Sequence, residues 1–348
     1  MLLVMLIAAE ITFTKTVIDT RFVSEGAAIA DLNRDGKMDI LAGNLWYEAP
    51  TWKPHEIAPV PILDPKTQYS NCFHNWAEDL NKDGWPDQIL IGMPGDKAMW
   101  RENPAGIRGA WKEHLIWHSA CNESPLYEDL LGNGKRVLVM GSDDNVLAYF
   151  EPNEDTTKPW TMHPISGQKG AGSQRYSHGL GIGDLNHDKV NEVLTTQGYY
   201  TRQGSEWKFV SADLGPDCAH MQVTDGQVLT TSAHAKGVWL FDRNLKRTTL
   251  DESVGQTHST VLVRLGKDNK LNLITGKRKW AHRPGVDPGS EEASLLVRYE
   301  QDGNKWTRHI IDENSGVGTQ FEVKDFNGDG LLDIVTANKN GVFLFTQQ

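Results

Sequence analysis

Cysteine is scarce in this chain, with three among 348 residues. Three thiols without a C-x-x-C pair give no disulfide framework and no zinc knuckle. Long apolar runs are missing too. The apolar start, Met1 to Ala9, is too short to span a bilayer. It ends in Ala8-Ala9-Glu10, so residues 1–10 read either as the remnant of a secretory signal or, lacking a basic start, as ordinary chain. Positive charge is in deficit: 35 Lys and Arg face 46 Asp and Glu, for a net charge of −11. That balance argues against nucleic acid or an anionic membrane as partner. No Pro- or Ser-rich linker divides residues 11–348, which read as one domain. The G-x-S-x-G elbow, the phosphate-binding P-loop and H-E-x-x-H are absent, leaving serine-hydrolase, nucleotide-binding and zincin readings without support.

What the chain does have is a repeat. D-x-N-x-D-G-x-x-D occurs as Asp31-Asn33-Asp35-Gly36-Asp39, Asp79-Asn81-Asp83-Gly84-Asp87 and Asp325-Asn327-Asp329-Gly330-Asp333. A fourth copy, Asp184-Asn186-Asp188, has Lys189 where glycine is expected and Glu192 at the end. Oxygen ligands at alternate positions around a tight turn suit a hard cation, and these residues are candidate calcium ligands. An apolar strand-like run follows each loop, where an EF-hand would continue into a helix. Weaker units at Asp129, Asp225 and Asp268 bring the count to seven.

A second pattern, aromatic-x-x-His-x-Ile, gives the same count. It is clearest at Trp52/His55/Ile57, Trp111/His114/Ile116, Trp160/His163/Ile165 and Trp306/His309/Ile311. Its alternation is that of a half-buried strand. Each unit of about fifty residues reads as four short strands, so the expected fold is all-β: a seven-bladed β-propeller with four-stranded antiparallel blades. The chain ends on a third strand, Val342–Phe345, and begins with an orphan fourth, Phe13–Ile18. The N-terminal strand is expected to close the last blade and remove an exposed edge.

Twelve histidines sort by position. His55, His114, His163 and His309 belong to outer strands and read as structural, and His187 lies within a calcium-type loop. His74, His178, His220 and His258 stand just before innermost strands, as does His118. His234 and His282 fall in connections between second and third strands, on the same face of the disc. Neutral imidazoles suit zinc or another divalent transition metal. His74, His178, His220, His234 and His258 are therefore candidate ligands, and a polar plug of hydrogen-bonded histidines is the alternative. Cys72, Cys121 and Cys218 share this face and read more readily as packing residues than as ligands. Lys97, Lys236, Lys277 and Arg278 supply positive charge there, and Trp280 sits in a long loop, Gly276 to Glu292, that reads as a lid.

The Asp-Leu-Asn-x-Asp-Gly loops resemble the FG-GAP or VCBS repeats of integrin α-type propellers, over nearly the whole chain. That resemblance implies the propeller, structural calcium and a secreted or periplasmic setting, but no particular activity. The loop histidines resemble, more weakly, the propeller part of aldos-2-ulose dehydratases, metal-containing sugar lyases. This implies a metal-dependent lyase acting on an oxidised sugar, with His178, Tyr176, His282 and Lys277 as candidate catalytic groups. The alternative is a non-catalytic module binding glycan or protein. It would show a rim of exposed aromatics, with the histidines hydrogen-bonded away.

Overall fold

The structure, a computed structural model, describes residues 10–105 and 109–348. The apolar start lies outside them, and with it the signal-peptide reading. No helix among the described residues is long and apolar enough to cross a membrane.

The chain opens with β1 (Phe13–Asp19) and then lays down strands in sets of four. The first set is β2 (Ala28–Ala30), β3 (Asp39–Ala42), β4 (Leu45–Glu48) and β5 (Lys53–Glu56). The second is β6 (His74–Glu78), β7 (Asp87–Ile91), β8 (Ala98–Glu102) and β9 (Lys112–Trp117). The third is β10 (Leu126–Glu128), β11 (Val137–Ser142), β12 (Val146–Glu151) and β13 (Thr161–Pro164). Next come β14 (Gly181–Gly183), β15 (Glu192–Thr195), β16 (Gly198–Gln203) and β17 (Glu206–Ser211). They are followed by β18 (Met221–Thr224), β19 (Gln227–Thr231), β20 (Lys236–Phe241) and β21 (Arg247–Gly255). The last full set is β22 (Val261–Leu265), β23 (Lys270–Lys277), β24 (Leu295–Asp302) and β25 (Lys305–Asp312). The chain ends with β26 (Phe321–Lys324), β27 (Asp333–Asn338) and β28 (Gly341–Gln347).

Within each set, neighbouring strands pair antiparallel as meanders, giving an all-β propeller with four-stranded blades. The expectation of seven separate blades needs correction. Five four-stranded sheets stand apart, and β14 to β21 share one sheet of eight. The join is a parallel pairing of β14 with β18, Gly181 opposite Met221 and Ile182 opposite Gln222. Glycine makes this approach feasible. A Cβ on Gly181 would lie 2.6 Å from the Met221 carbonyl oxygen, and one on Gly183 would lie 2.4 Å from the Val223 Cβ.

Closure follows the sequence reading. β1 pairs antiparallel with β28, from Phe13 opposite Gln347 to Asp19 opposite Val342. The cores lie between neighbouring sheets. Ile89, Ile91 and Trp100 pack with Leu138, Met140 and Phe150, for example, and Leu229 and Val238 pack with Leu273 and Val297. Each such side chain taken from water contributes about 1.5–3 kcal/mol.

The Asp-Asn-Asp-Gly loops join innermost to second strands. Asp31 accepts from Asp35 N at 3.0 Å and from Gly36 N at 2.9 Å, and Asp79 accepts from Asp83 N and Gly84 N at the same distances. Asp325 accepts from Gly330 N at 2.9 Å. Gly36, Gly84 and Gly330 sit at φ of 86°, 89° and 84°, and Lys189 takes the equivalent turn at 69°. The final acidic residue has a role the sequence did not suggest. Asp39 accepts from Leu32 N at 3.0 Å and from Ala49 N at 2.9 Å. Asp87 binds Leu80 N and Asn103 N in the same way, and Asp333 binds Phe326 N and Gln347 N. Read from sequence as calcium ligands, these three buried carboxylates give both oxygens to amides and clamp each loop to the end of the third strand.

Candidate metal centre

Three residues before β10, β14 and β22 stand Glu123, His178 and His258, all at one level of the ring. The meander forces this equivalence, because each chain segment enters its innermost strand from the same face. The β19–β20 connection, on that face as well, adds His234. Ligand atoms of these four residues lie within 4.8 Å of one another. They are the one such group of three or more His, Cys, Asp or Glu residues among those described.

Three of the four stand at a spacing that would suit metal coordination. Nε2 of His178 lies 3.3 Å from Nε2 of His258. Glu123 Oε2 is 3.2 Å from the first and 3.5 Å from the second. Donors held at zinc-type distances of about 2.0–2.1 Å in a tetrahedron stand about 3.3–3.4 Å apart. His234 meets both other rings edge-on, with centroids at 4.8 and 5.1 Å. Its Nδ1 is 3.5 Å from Asp217 Oδ1, the carboxylate–histidine arrangement that leaves Nε2 for an ion. Burial and then the nearby Arg278 charge hold His258 well below the usual imidazole range, so it is neutral and able to ligate. Burial alone would raise the Glu123 carboxyl, but hydrogen bonds with His178 and His258 outweigh it and keep the group ionised. Three imidazoles and one carboxylate could hold zinc, manganese or iron.

Two predicted ligands stand apart from this group. His74 and His220 form their own pair, with ring centroids 5.6 Å apart, and His74 stacks on Trp76. Both ring nitrogens of His74 and Nε2 of His220 are buried without a protein partner. Burial pushes the His220 imidazole down to about 4 and holds His74 well below its usual range. His118, before β10, turns outward to Asp143 at 2.6 Å.

His282 reaches the centre from the β23–β24 connection. Its ring stacks on His234 at 4.7 Å, and its Nδ1 lies 2.8 Å from Oδ1 of Asp287. The buried Asp287 carboxylate also accepts the His282 backbone N–H at 3.1 Å. A proton on Nδ1 leaves Nε2 as an acceptor beside the cluster. Tyr176 and Lys277, the other two candidate catalytic groups, are placed differently. Tyr176 is 53% exposed, and the only bond shown for it runs from its backbone N–H to Cys121 O. Lys277 is buried at 2% exposure and donates to the Arg278 carbonyl oxygen at 3.1 Å.

The long loop is tied to Gln256 and to itself. Gln256 accepts from Ala281 N and donates to Pro288 O, and Gly285 N donates to Ser290 Oγ. Trp280 is buried, so it offers no open stacking platform. The three cysteines are buried and free, and Cys72 and Cys218 point their thiols at carbonyl oxygens of His74 and Leu214. Three of the four outer histidines make packing contacts: His55, His114 and His163 stack on Trp46, Trp100 and Tyr149, and each approaches a glutamate.

Sequence reading missed Glu123 and Asp287. Glu123 stands six residues before Asp129, as His178 does before Asp184 and His258 before Arg264. The equivalence of position was the signal in the sequence.

No family model matches the chain, and no curated protein matches it. Solved structures share the fold. The crystal structure of BBS1N in complex with ARL6DN, soaked with mercury, has a TM-score of 0.56 at 10% identity, covering 96% of this chain and 95% of that one. Virginiamycin B lyase from Staphylococcus aureus has a TM-score of 0.51 at 12% identity, covering 97% and 99%. The Dos1 propeller has a TM-score of 0.51 at 10% identity, covering 96% and 94%. These likenesses establish the propeller and leave the activity to be argued from the site.

Proposed function

We propose that this protein is a metal-dependent carbon–oxygen lyase acting on an oxidised sugar. The observation that carries the reading is the convergence of ligand atoms of His178, His234, His258 and Glu123 within 4.8 Å of one another. A divalent ion held there would supply Lewis acidity toward a substrate carbonyl oxygen. His282, held by Asp287, is the base. Its Nε2 takes the proton from the carbon beside the carbonyl. The C–H electron pair forms the carbon–carbon double bond as the bond to the β-oxygen breaks. The imidazolium then returns the proton to the departing oxygen, which leaves as water or an alcohol. A neighbouring fold includes a lyase, virginiamycin B lyase, and also a propeller bound to a protein partner, so the fold is compatible with either role. The binding-module reading expects a rim of exposed aromatics. Among the described residues, only Tyr176 and Phe209 are aromatics counted as exposed, which favours the enzyme.

The finer architecture belongs to the same proposal. Counting the eight-stranded sheet as two blades gives seven, and seven apolar clusters between successive four-stranded sets support that count. The FG-GAP-like loops are proposed to bind structural calcium through residues such as Asp31, Asp79, Asp184 and Asp325. Loops of that kind suit a secreted or periplasmic setting, where calcium is plentiful.

The test is incubation of metal-loaded protein with keto sugars, followed by ultraviolet absorbance of the conjugated enone. Growth of the band in the wild type and not in His282→Gln supports the lyase. An unchanged spectrum across keto sugars, from protein with a full complement of metal, refutes it.

A further inference from the structure

A hollow of about 310 Å³ opens beside the candidate centre, lined by Thr67, Tyr69, His282, Arg283 and Val286. His282 belongs to both, through its stacking on His234. We propose that this hollow is a subsite for a substrate carboxylate, so that the ligand is a sugar acid and not a neutral sugar. The inference rests on the lyase reading and deepens it.

Charge is the argument. In a chain of net charge −11, Lys277, Arg278, Lys279 and Arg283 fall within seven residues of one connection. Lys339 joins them in space, donating to the His282 carbonyl oxygen at 3.0 Å and lying 4.5 Å over the Tyr69 ring. The carboxylates nearby are engaged elsewhere. Glu25 takes Arg278 and Ser70, and Asp287 takes His282. Asp64 closes its own turn on Lys66 N at 3.0 Å and the Thr67 hydroxyl at 2.7 Å. The ion pairs of this region are Arg278–Glu25 and Lys236–Glu292, and Asp287 is hydrogen-bonded to His282. They leave Arg283 and Lys339 without a carboxylate partner among the described residues. Arg283 lines the open hollow, and Lys339 touches two of its lining residues, His282 and Tyr69, so the positive charge there favours an anion. The planar guanidinium of Arg283 matches a carboxylate in bidentate fashion, and Tyr69 adds a hydroxyl.

The chemistry fits the neighbouring base. A carboxylate fixed at Arg283 would orient the sugar so that one carbon meets His282 Nε2, which a neutral sugar held by hydroxyls alone would do less tightly.

Isothermal titration of the full chain with glucuronate and with methyl glucoside tests the proposal. Glucuronate is expected to bind at least tenfold more tightly, and more weakly as salt rises. Arg283 is exposed, so Arg283→Gln should fold, and it should lose about tenfold in glucuronate affinity with methyl glucoside unchanged. Lys339→Gln should show the same selectivity loss. Equal affinity for the two sugars, no glucuronate binding, or an unchanged Arg283→Gln overturns the subsite. The two readings fail separately. Glucuronate binding that depends on Arg283 in a protein taking up no metal leaves the subsite standing and removes the metal centre. Metal uptake without glucuronate selectivity does the reverse.

Discussion

Nδ1 of His282 lies 2.8 Å from Oδ1 of Asp287, and the same ring stacks on His234 at 4.7 Å. One histidine thus joins a carboxylate that sets its tautomer to the group proposed to hold the metal. Asp287→Asn should leave metal content and KM unchanged while kcat falls about a hundredfold, within the range usual for general bases. Nitrogen-15 spectra of the ring should show loss of the Nδ1–H tautomer. A fall in metal content equal to the fall in kcat would make Asp287 a structural residue.

The approach of β14 to β18 depends on two missing side chains. Gly183→Val should push Val223 away and cost about 1–3 kcal/mol, the usual penalty for overpacking. Denaturant unfolding measures it. An unchanged midpoint would mean that the eight-stranded join contributes nothing to stability.

How much of this was legible in sequence varies with the physics of each part. The loops were, because a tight turn needs oxygen acceptors and glycine at fixed spacing. Ring closure was legible too, because an orphan fourth strand and an absent fourth strand complete each other. The convergence of His178 and His258 followed from equivalent positions in a repeat, and that of His234 from a connection on the same face. The union of β14 with β18 did not, since contact between separate units depends on the three-dimensional approach of glycines to Met221 and Val223. The orientations of Tyr176 and Lys277 were not legible for a related reason. Position along a repeat fixes the face of the disc but not the direction of a side chain, and one turns to solvent while the other turns to a carbonyl.

Lys277 yields a prediction about pH. Burial pushes its ammonium from 10.5 down to about 8. The unfolded chain therefore binds more protons than the folded one between about pH 8 and 10.5. Stability is penalised in full below pH 8, and the penalty is relieved as pH rises through that window. Lys277→Met should raise stability at pH 7 by up to about 3 kcal/mol, and the gain should shrink toward pH 10.5. Melting curves of both proteins across that range check it. A gain that does not vary with pH would place its origin in packing.

The aspartate loops give a further test. If calcium binds the folded chain alone, stability rises with its concentration by linkage. Chelation should lower Tm by several degrees, and added calcium should restore it. An unchanged Tm after demonstrated removal of calcium would reduce the loops to turns held by the amide bonds of Asp31, Asp79 and Asp325.

The central claim is that His178, His234, His258 and Glu123 hold one divalent transition metal. Elemental analysis of the purified protein, beside His178→Ala/His234→Ala, tests it most directly. The account expects about one zinc, manganese or iron per chain in the wild type, and essentially none in the double variant, which should remain folded and retain its calcium. Metal-free wild type after incubation with each of these ions, or equal metal in both proteins, would contradict it.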